Sequence, residues 1–214
     1  MAPKLYVMPA SPPCRAVMML AKEIELEVEI EEVDRNQLKT PEMLELNPEH
    51  TVPILVDDDF VLWESHAIMP YLVGKYSDKE SLYPKDDLQK TAIINQRMHF
   101  ESGVLFQRST TAIAPLFQGI GDISDDDRDK IIEAFGYIEN YLEKTPYVAG
   151  EEMTVADLSI LSTVASIELV IPVEEDRFPN LSSWLKSGKE LTYFEECNSK
   201  GLAELKDLID AASA

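Results

Sequence analysis

Ser11-Pro12-Pro13-Cys14 joins two patterns of different period, and the reading of that junction decides the fold. Before it, Lys4 to Met8 reads as a short strand. After it, Val17, Leu20, Ala21 and Ile24 follow the i, i+3, i+4, i+7 spacing of a helix with one buried face. Prolines suit a first helical turn, where their missing N–H groups would have had no intrahelical partner. Val28, Ile30 and Val33 then alternate with glutamates as a period-two strand, and a short helix follows over Pro41 to Leu46. Pro53-Ile54-Leu55-Val56, the acidic turn Asp57-Asp58-Asp59 and Phe60-Val61-Leu62-Trp63 read as a hairpin. Ser65 stands where it caps the next helix. The order is βαβ, helix, ββα, which specifies a mixed sheet with one parallel crossover and a terminal hairpin.

Past a polar stretch ending in Pro84, the pattern is helical throughout. Ile131, Phe135, Ile138 and Leu142 make one apolar stripe, and Leu158, Leu161, Ala165 and Leu169 make another. Thr154-Val155-Ala156-Asp157 has the form of a capping box, with Asp in place of the usual Glu. The expected fold class is an α/β domain over residues 1–78, a linker at 79–86 and an all-α domain over 87–214.

Composition excludes several functions. Hydrophobic residues at 45% and charged residues at 28% argue against disorder. Only 19 Lys and Arg oppose 40 Asp and Glu, a net charge of −21, so the basic patch that nucleic-acid binding needs is missing. No apolar run approaches the roughly 18–20 residues that span a bilayer. The start, Met1-Ala2-Pro3-Lys4, lacks a signal-peptide pattern, and a cytoplasmic location is expected. Two cysteines, Cys14 and Cys197, make neither a disulfide framework nor a structural zinc site, and no metal is expected.

Three stretches carry chemistry. At Ser11 the chain faces a helix N-terminus, where N–H groups and the macrodipole favour negative charge. A thioredoxin-like fold places its C-x-x-C here, and Ser11 takes the first cysteine's position, which removes two-cysteine redox chemistry but keeps a hydroxyl donor. Read alone, a serine here is more commonly just a helix cap. In Asn47-Pro48-Glu49-His50-Thr51-Val52-Pro53, the proline opening the third strand predicts a cis Val52–Pro53 bond that turns the preceding backbone toward the ligand. In Trp63-Glu64-Ser65-His66-Ala67-Ile68, Ser65 and its neighbouring N–H groups suit a carboxylate and Glu64 suits an ammonium, together the zwitterionic end of an amino acid.

In joint order and spacing these stretches resemble the cytosolic glutathione transferases, most closely the insect Delta and Epsilon classes. Val148-Ala149-Gly150 followed by Thr154-Val155-Ala156-Asp157-Leu158 extends the resemblance over essentially the whole chain. It implies a thioredoxin-like glutathione-binding domain, a helical domain shaping a hydrophobic electrophile site, and a homodimer. It implies that Ser11 hydrogen-bonds the sulfur of glutathione, the co-substrate. It further assigns His50, Thr51, Val52 and Pro53 to the glycine and cysteine portions, and Glu64, Ser65 and His66 to the γ-glutamyl end. The electrophile pocket would fall around Phe106, Ser109 and Phe117. Glu101, by the same resemblance, reaches the partner's glutathione site; otherwise it reads as a solvated helix-face residue. Two departures stand out. His66 sits where Delta enzymes usually carry arginine, although Leu62-Trp63 looks Delta-like. Arg108-Ser109-Thr110-Thr111-Ala112 is small and polar where many relatives are aromatic, so substrate preference does not carry over.

The implied chemistry is energetically sound. A free thiol has a pKa of about 8.5, and lowering it by about two units takes roughly 2.7 kcal/mol of preferential thiolate stabilisation. A charge-assisted hydrogen bond supplies about 1.5–3 kcal/mol and a helix terminus about 0.3–1 kcal/mol. The expected activity is therefore addition of the glutathione thiolate to hydrophobic electrophiles, with halide elimination or peroxide reduction as variants. The alternatives are a non-catalytic carrier of hydrophobic ligands such as steroids and an interaction module. Cys14 reads as a small apolar packing residue.

Overall fold

The computed structural model describes residues 2–212, with the backbone alone at Phe117 and Ala212. Strands β1 (Lys4–Val7), β2 (Glu29–Glu32), β3 (Ile54–Asp57) and β4 (Phe60–Trp63) form one sheet in the order β2-β1-β3-β4. β1 and β2 are parallel across helix α1 (Pro12–Glu23), whereas β3 is antiparallel to both β1 and β4. One face of the sheet packs Leu5, Val7 and Leu55 against α1 and α3 (Ser65–Tyr76). The other face packs Ile54 with Val33, Leu38 and Met43 around α2 (Pro41–Leu46). The mixed sheet and its sandwiching helices are the thioredoxin-like architecture expected from the sequence.

The edges of that reading shift. β2 covers only Glu29–Glu32 and is exposed throughout, with Ile30 at 41% relative exposure, while Val28 and Val33 flank it partly buried and buried. It is the sheet's edge, and its glutamates face across to Lys4 at 2.8 Å (Glu29) and 3.0 Å (Glu31), a charged rim that discourages further strand pairing. Ser65 is the first residue of α3, and the capping position belongs to Glu64.

Asp57 is not a turn residue. It ends β3, is buried, and accepts hydrogen bonds from Tyr71 Oη (2.6 Å), Lys75 Nζ (2.6 Å) and Tyr76 Oη (2.7 Å), tying the hairpin to α3. Burial pushes its carboxyl up, but the bonds from Lys75, Tyr71 and Tyr76 more than reverse this, so its pKa lies below the ordinary carboxylate value. Folding thus lowers this pKa. The resulting stabilisation is fully present above the unfolded value of about 3.9 and is lost as pH falls through the folded one. Asp57→Asn should cost about 1–2 kcal/mol at pH 7 and clearly less in acid below the folded pKa. Thermal unfolding at the two pH values checks this, and an equal loss at both would refute the carboxylate's role.

The second half is helical: α4 (Leu88–Phe100), a π-helical segment (Glu101–Phe106), α5 (Gln107–Gln118), α6 (Asp125–Leu142), α7 (Val155–Ile167), α8 (Pro179–Lys189) and α9 (Phe194–Ala212). The stripe on α6 is buried as expected, at Ile131, Phe135, Ile138 and Leu142. α7 differs. All 13 of its residues are buried because α1, α3, α4, α8 and α9 surround it, while Leu169 lies past its end, 38% exposed. A helix buried on every side belongs at the centre of a core, and here it joins the sheet-bearing half to the helical half.

Candidate functional site

Ser11 is the N-cap of α1 in an extended conformation (φ −80°, ψ 118°), yet its side chain makes no capping hydrogen bond. The hydroxyl lies within hydrogen-bonding reach of the Cys14 thiol, while the Ser11 carbonyl accepts from the N–H groups of Cys14 (3.1 Å) and Arg15 (3.2 Å). Pro12 and Pro13 have no N–H to offer. The start of this helix therefore supplies fewer free N–H donors than a generic one, and the hydroxyl is left as the adaptable donor.

Cys14 is fully buried. Burial pushes its thiol up to about 11, against the opposing pull of Met8, Ser11 and Arg15, which leaves it neutral and unreactive near pH 7. Cys14→Ala should retain at least half of the wild-type turnover, and the wild-type residue should resist alkylation in the folded protein. Mass spectrometry after iodoacetamide treatment, with an activity assay, checks both; rapid labelling would contradict the packing role.

The second stretch is held by Asn47, a fully buried residue whose role the sequence does not reveal. Its Nδ2 donates to the Thr51 carbonyl (3.1 Å) and hydroxyl (3.0 Å), and its Oδ1 accepts from the Glu49 N–H (2.9 Å). His50 and Thr51 are thereby presented on an exposed turn, His50 with φ 47° and Val52–Pro53 in the cis form.

Glu64 has φ 72° and ψ 110°, a region that side-chain-bearing residues rarely adopt. Its carbonyl accepts the N–H groups of Ala67 and Ile68, both at 2.9 Å, which fixes the start of α3 with Glu64 exposed and Ser65 buried. Strain of this kind persists where surrounding structure imposes it, and it concentrates at ligand sites.

His66 points toward the helical half. Its Nε2 lies 2.7 Å from Ser159 Oγ of α7 and 3.1 Å from Glu101 Oε2, and Thr163 Oγ1 donates to Glu101 Oε1 at 2.5 Å. Glu101 opens the π-helical segment and is 4% exposed, so it is not a solvated face residue. It is engaged within its own chain, where its carboxylate and Ser159 orient the imidazole beside the Glu64-Ser65 turn. Ser159 and Thr163 carry no sequence signal for this, since both read as small residues within an apolar helix.

Of the three pocket residues, Ser109 is buried in α5, Phe106 ends the π-helical segment half-buried, and the Phe117 side chain lies outside the described residues. A separate, buried apolar cluster reaches the residue before Ser11. Ile113 and Leu116 of α5 cluster with Leu205 and Ile209 of α9, and Ala10, the neighbour of Ser11, packs against that cluster. Among the described residues, no group of three or more His, Cys, Asp or Glu could hold a metal ion, and no helix is long and apolar enough to cross a membrane.

A four-stranded thioredoxin-like sheet with a serine at its first helix, an Asn47-braced cis-proline turn and a strained Glu64-Ser65 turn, set against a helical half, defines the class of thioredoxin-like proteins with an all-α second domain. Known proteins make the class specific. The family description "Glutathione S-transferase, N-terminal domain" matches residues 5–80, and "Glutathione S-transferase, C-terminal domain" matches residues 114–187. Glutathione S-transferase 1 of Manduca sexta is 38% identical over 211 residues, 96% of each chain. The solved Epsilon-class glutathione S-transferase of the housefly, Musca domestica, superposes with a TM-score of 0.94 at 40% identity, covering 98% of each chain. A glutathione transferase homologue from Drosophila mojavensis, solved with bound glutathione, gives a TM-score of 0.92 at 38% identity over 98% of this chain and 97% of that one. The chain belongs to the glutathione S-transferase family.

Proposed function

We propose that this transferase binds glutathione across its three N-terminal turns and uses Ser11 to hold the thiol as thiolate for addition to apolar electrophiles. The observation that carries the reading is the Ser11 hydroxyl, which stands at a helix N-terminus without making a capping bond. A sulfur anion placed there would accept a charge-assisted hydrogen bond in the positive end of the α1 dipole. The relative from Drosophila mojavensis, solved with glutathione, supports the co-substrate. In this reading His50, Thr51, Val52 and Pro53 flank the glycine and cysteine portions of glutathione, the last two through backbone groups. Glu64 takes the γ-glutamyl ammonium, Ser65 its carboxylate, and His66 closes that end from its perch on Glu101 and Ser159.

Ser11 acts as a donor and not as a nucleophile. In this reading the electrophile site lies along the π-helical segment and α5, around the positions of Phe106, Ser109 and Phe117, beside the buried apolar cluster of Ile113, Leu116, Leu205 and Ile209.

The enzyme works as a cytoplasmic homodimer in this reading. Leu88 on α4 is 80% exposed and Phe60 on β4 is 45% exposed, and both are apolar groups available to an interface. The deciding experiment is an electrophile panel run with and without glutathione while thiolate absorbance is titrated. Glutathione-dependent turnover with a thiolate formed below the free-thiol pKa is the expected result. Tight apolar-ligand binding with no turnover across the panel would replace the reading with that of a carrier.

A further inference from the structure

We propose that Arg15, Asn198 and Gly201 are positioning residues through which the C-terminal helix α9 sets the placement of Ser11, an inference that rests on the thiolate reading above.

Arg15 is fully buried, and all five of its N–H donors are used. Nη1 donates to the carbonyls of Pro9 (3.1 Å) and Ala10 (2.9 Å), the two residues that immediately precede Ser11. Nη2 donates to the Ser162 carbonyl (3.1 Å) and to Ser166 Oγ, both on α7. Nε donates to Asn198 Oδ1 at 3.0 Å. The Asn198 amide is itself fixed, because its Nδ2 donates to the Phe194 carbonyl (3.1 Å) one turn back on α9. No carboxylate among the described residues pairs with the guanidinium. A buried charge without a counter-ion is a poor choice for cohesion alone, since apolar residues of similar volume would pack as well or better. What the guanidinium adds is a rigid planar fork with five fixed directions. Two of those directions end on the backbone that carries Ser11.

Gly201 supplies a second, independent contact with the same backbone. A Cβ built on it would overlap the Pro9 carbonyl oxygen and would stand 2.6 Å from the Pro9 carbonyl carbon and 3.0 Å from Arg15 Cδ. The α9 backbone therefore lies directly on the Pro9 peptide, and only a residue without a side chain permits that approach. The Pro9 carbonyl thus accepts from Arg15 and is abutted by the α9 backbone. A hydrogen bond from a hydroxyl to a thiolate weakens steeply with distance and misalignment, so a few tenths of an ångström at Pro9 alter what Ser11 can do.

The test measures thiolate absorbance of enzyme-bound glutathione against pH, together with kcat and KM, in full-length wild type, Ser11→Ala, Gly201→Ala, Asn198→Ala, Arg15→Lys and Arg15→Met. Gly201→Ala is expected to raise the thiol pKa so that about tenfold less thiolate is present near pH 6.5. Its kcat should fall by a similar factor there and recover above about pH 9, with KM for glutathione changed by less than about threefold. Asn198→Ala removes the side-chain bonds to Arg15 and Phe194 without a clash, and it keeps the proposal testable if Gly201→Ala does not fold. About threefold less thiolate is expected from it. Arg15→Lys should shift the titration in the same direction as Arg15→Met, because lysine keeps the charge but loses the fork. An unchanged titration in folded Gly201→Ala and Asn198→Ala, with only the melting temperature lowered, would make the cluster structural and overturn the proposal. A shift in Arg15→Met that Arg15→Lys restores would assign the effect to charge and overturn it equally. If Ser11→Ala itself leaves the titration in place, the thiolate reading fails first; if Ser11→Ala shifts it and the others do not, positioning alone fails.

Discussion

Ser11→Ala is expected to lower glutathione conjugation near pH 6.5 on the order of 10- to 100-fold, with glutathione affinity largely kept. The size follows from one lost charge-assisted hydrogen bond, worth about 1.5–3 kcal/mol, each 1.4 kcal/mol being a factor of about ten. Little else near the sulfur compensates. Pro12 and Pro13 carry no N–H, and the N–H groups of Cys14 and Arg15 are committed to the Ser11 carbonyl. What persists is the field of the α1 dipole, worth about 0.3–1 kcal/mol. The pH profile separates this mechanism from simple misplacement. If Ser11 lowers the pKa of the bound thiol below its free value of about 8.5, the variant should be most impaired well below that pH and approach wild-type turnover as pH rises past it. A deficit that stays constant across the whole range would show that alanine disturbs geometry without touching ionisation.

Much of the N-terminal half is legible in the sequence because its signals are local. Two prolines after a short strand mark the start of α1, the Asp58-Asp59 turn marks the hairpin, and the Asn47 to Pro53 stretch carries its turn and its cis-proline consecutively. Residues whose roles come from distant partners are not legible. Arg15 meets Ser162, Ser166 and Asn198, which lie 147 to 183 positions away, and nothing next to it in sequence announces that. Glu101 looks like any polar residue on a helix until α3 delivers His66 and α7 delivers Thr163 to its two oxygens. The π-helical turn that carries it has no compositional mark. Asp57 was readable only as a third acid in a turn, since its three donors all reside on α3. α7 illustrates the limit of periodicity: a stripe of apolar residues identifies one buried face, but Ser159, Ser162, Thr163 and Ser166 on the remaining faces are equally buried. Those small hydroxyl residues let α1, α3 and α4 approach closely and supply the polar atoms that Arg15, His66 and Glu101 use.

Asp157→Ala is expected to be strongly destabilising, at about 3 kcal/mol, a fall in melting temperature of roughly 6–12 °C for a chain of this size. The buried carboxylate accepts four hydrogen bonds: from the N–H (2.9 Å) and hydroxyl (3.0 Å) of Thr154, the N–H of Val148 (2.9 Å) and the indole N–H of Trp184 (3.3 Å). Burial pushes its carboxyl above the ordinary range, against the pull of those same donors. Alanine leaves buried donors on three separate segments unpaired, and it removes the cap from a helix with no solvent-facing side to soften the loss. Asp157→Asn keeps an acceptor for Val148 and Trp184 but only one such oxygen, so about half the loss is expected. Because Ser159, Ser162, Thr163 and Ser166 lie further along α7, the damage should concentrate in its first turn. Hydrogen exchange should then show lost protection at Val148 and at the start of α7, while the thiolate titration at 25 °C stays within a few tenths of a pH unit of wild type. A large thiolate shift in a fully folded Asp157→Ala protein would mean instead that the cap is transmitted along the helix to Arg15. α7 would then act as a rigid rod between its N-terminus and the serine loop, and the stability and the chemistry of this enzyme could not be varied independently.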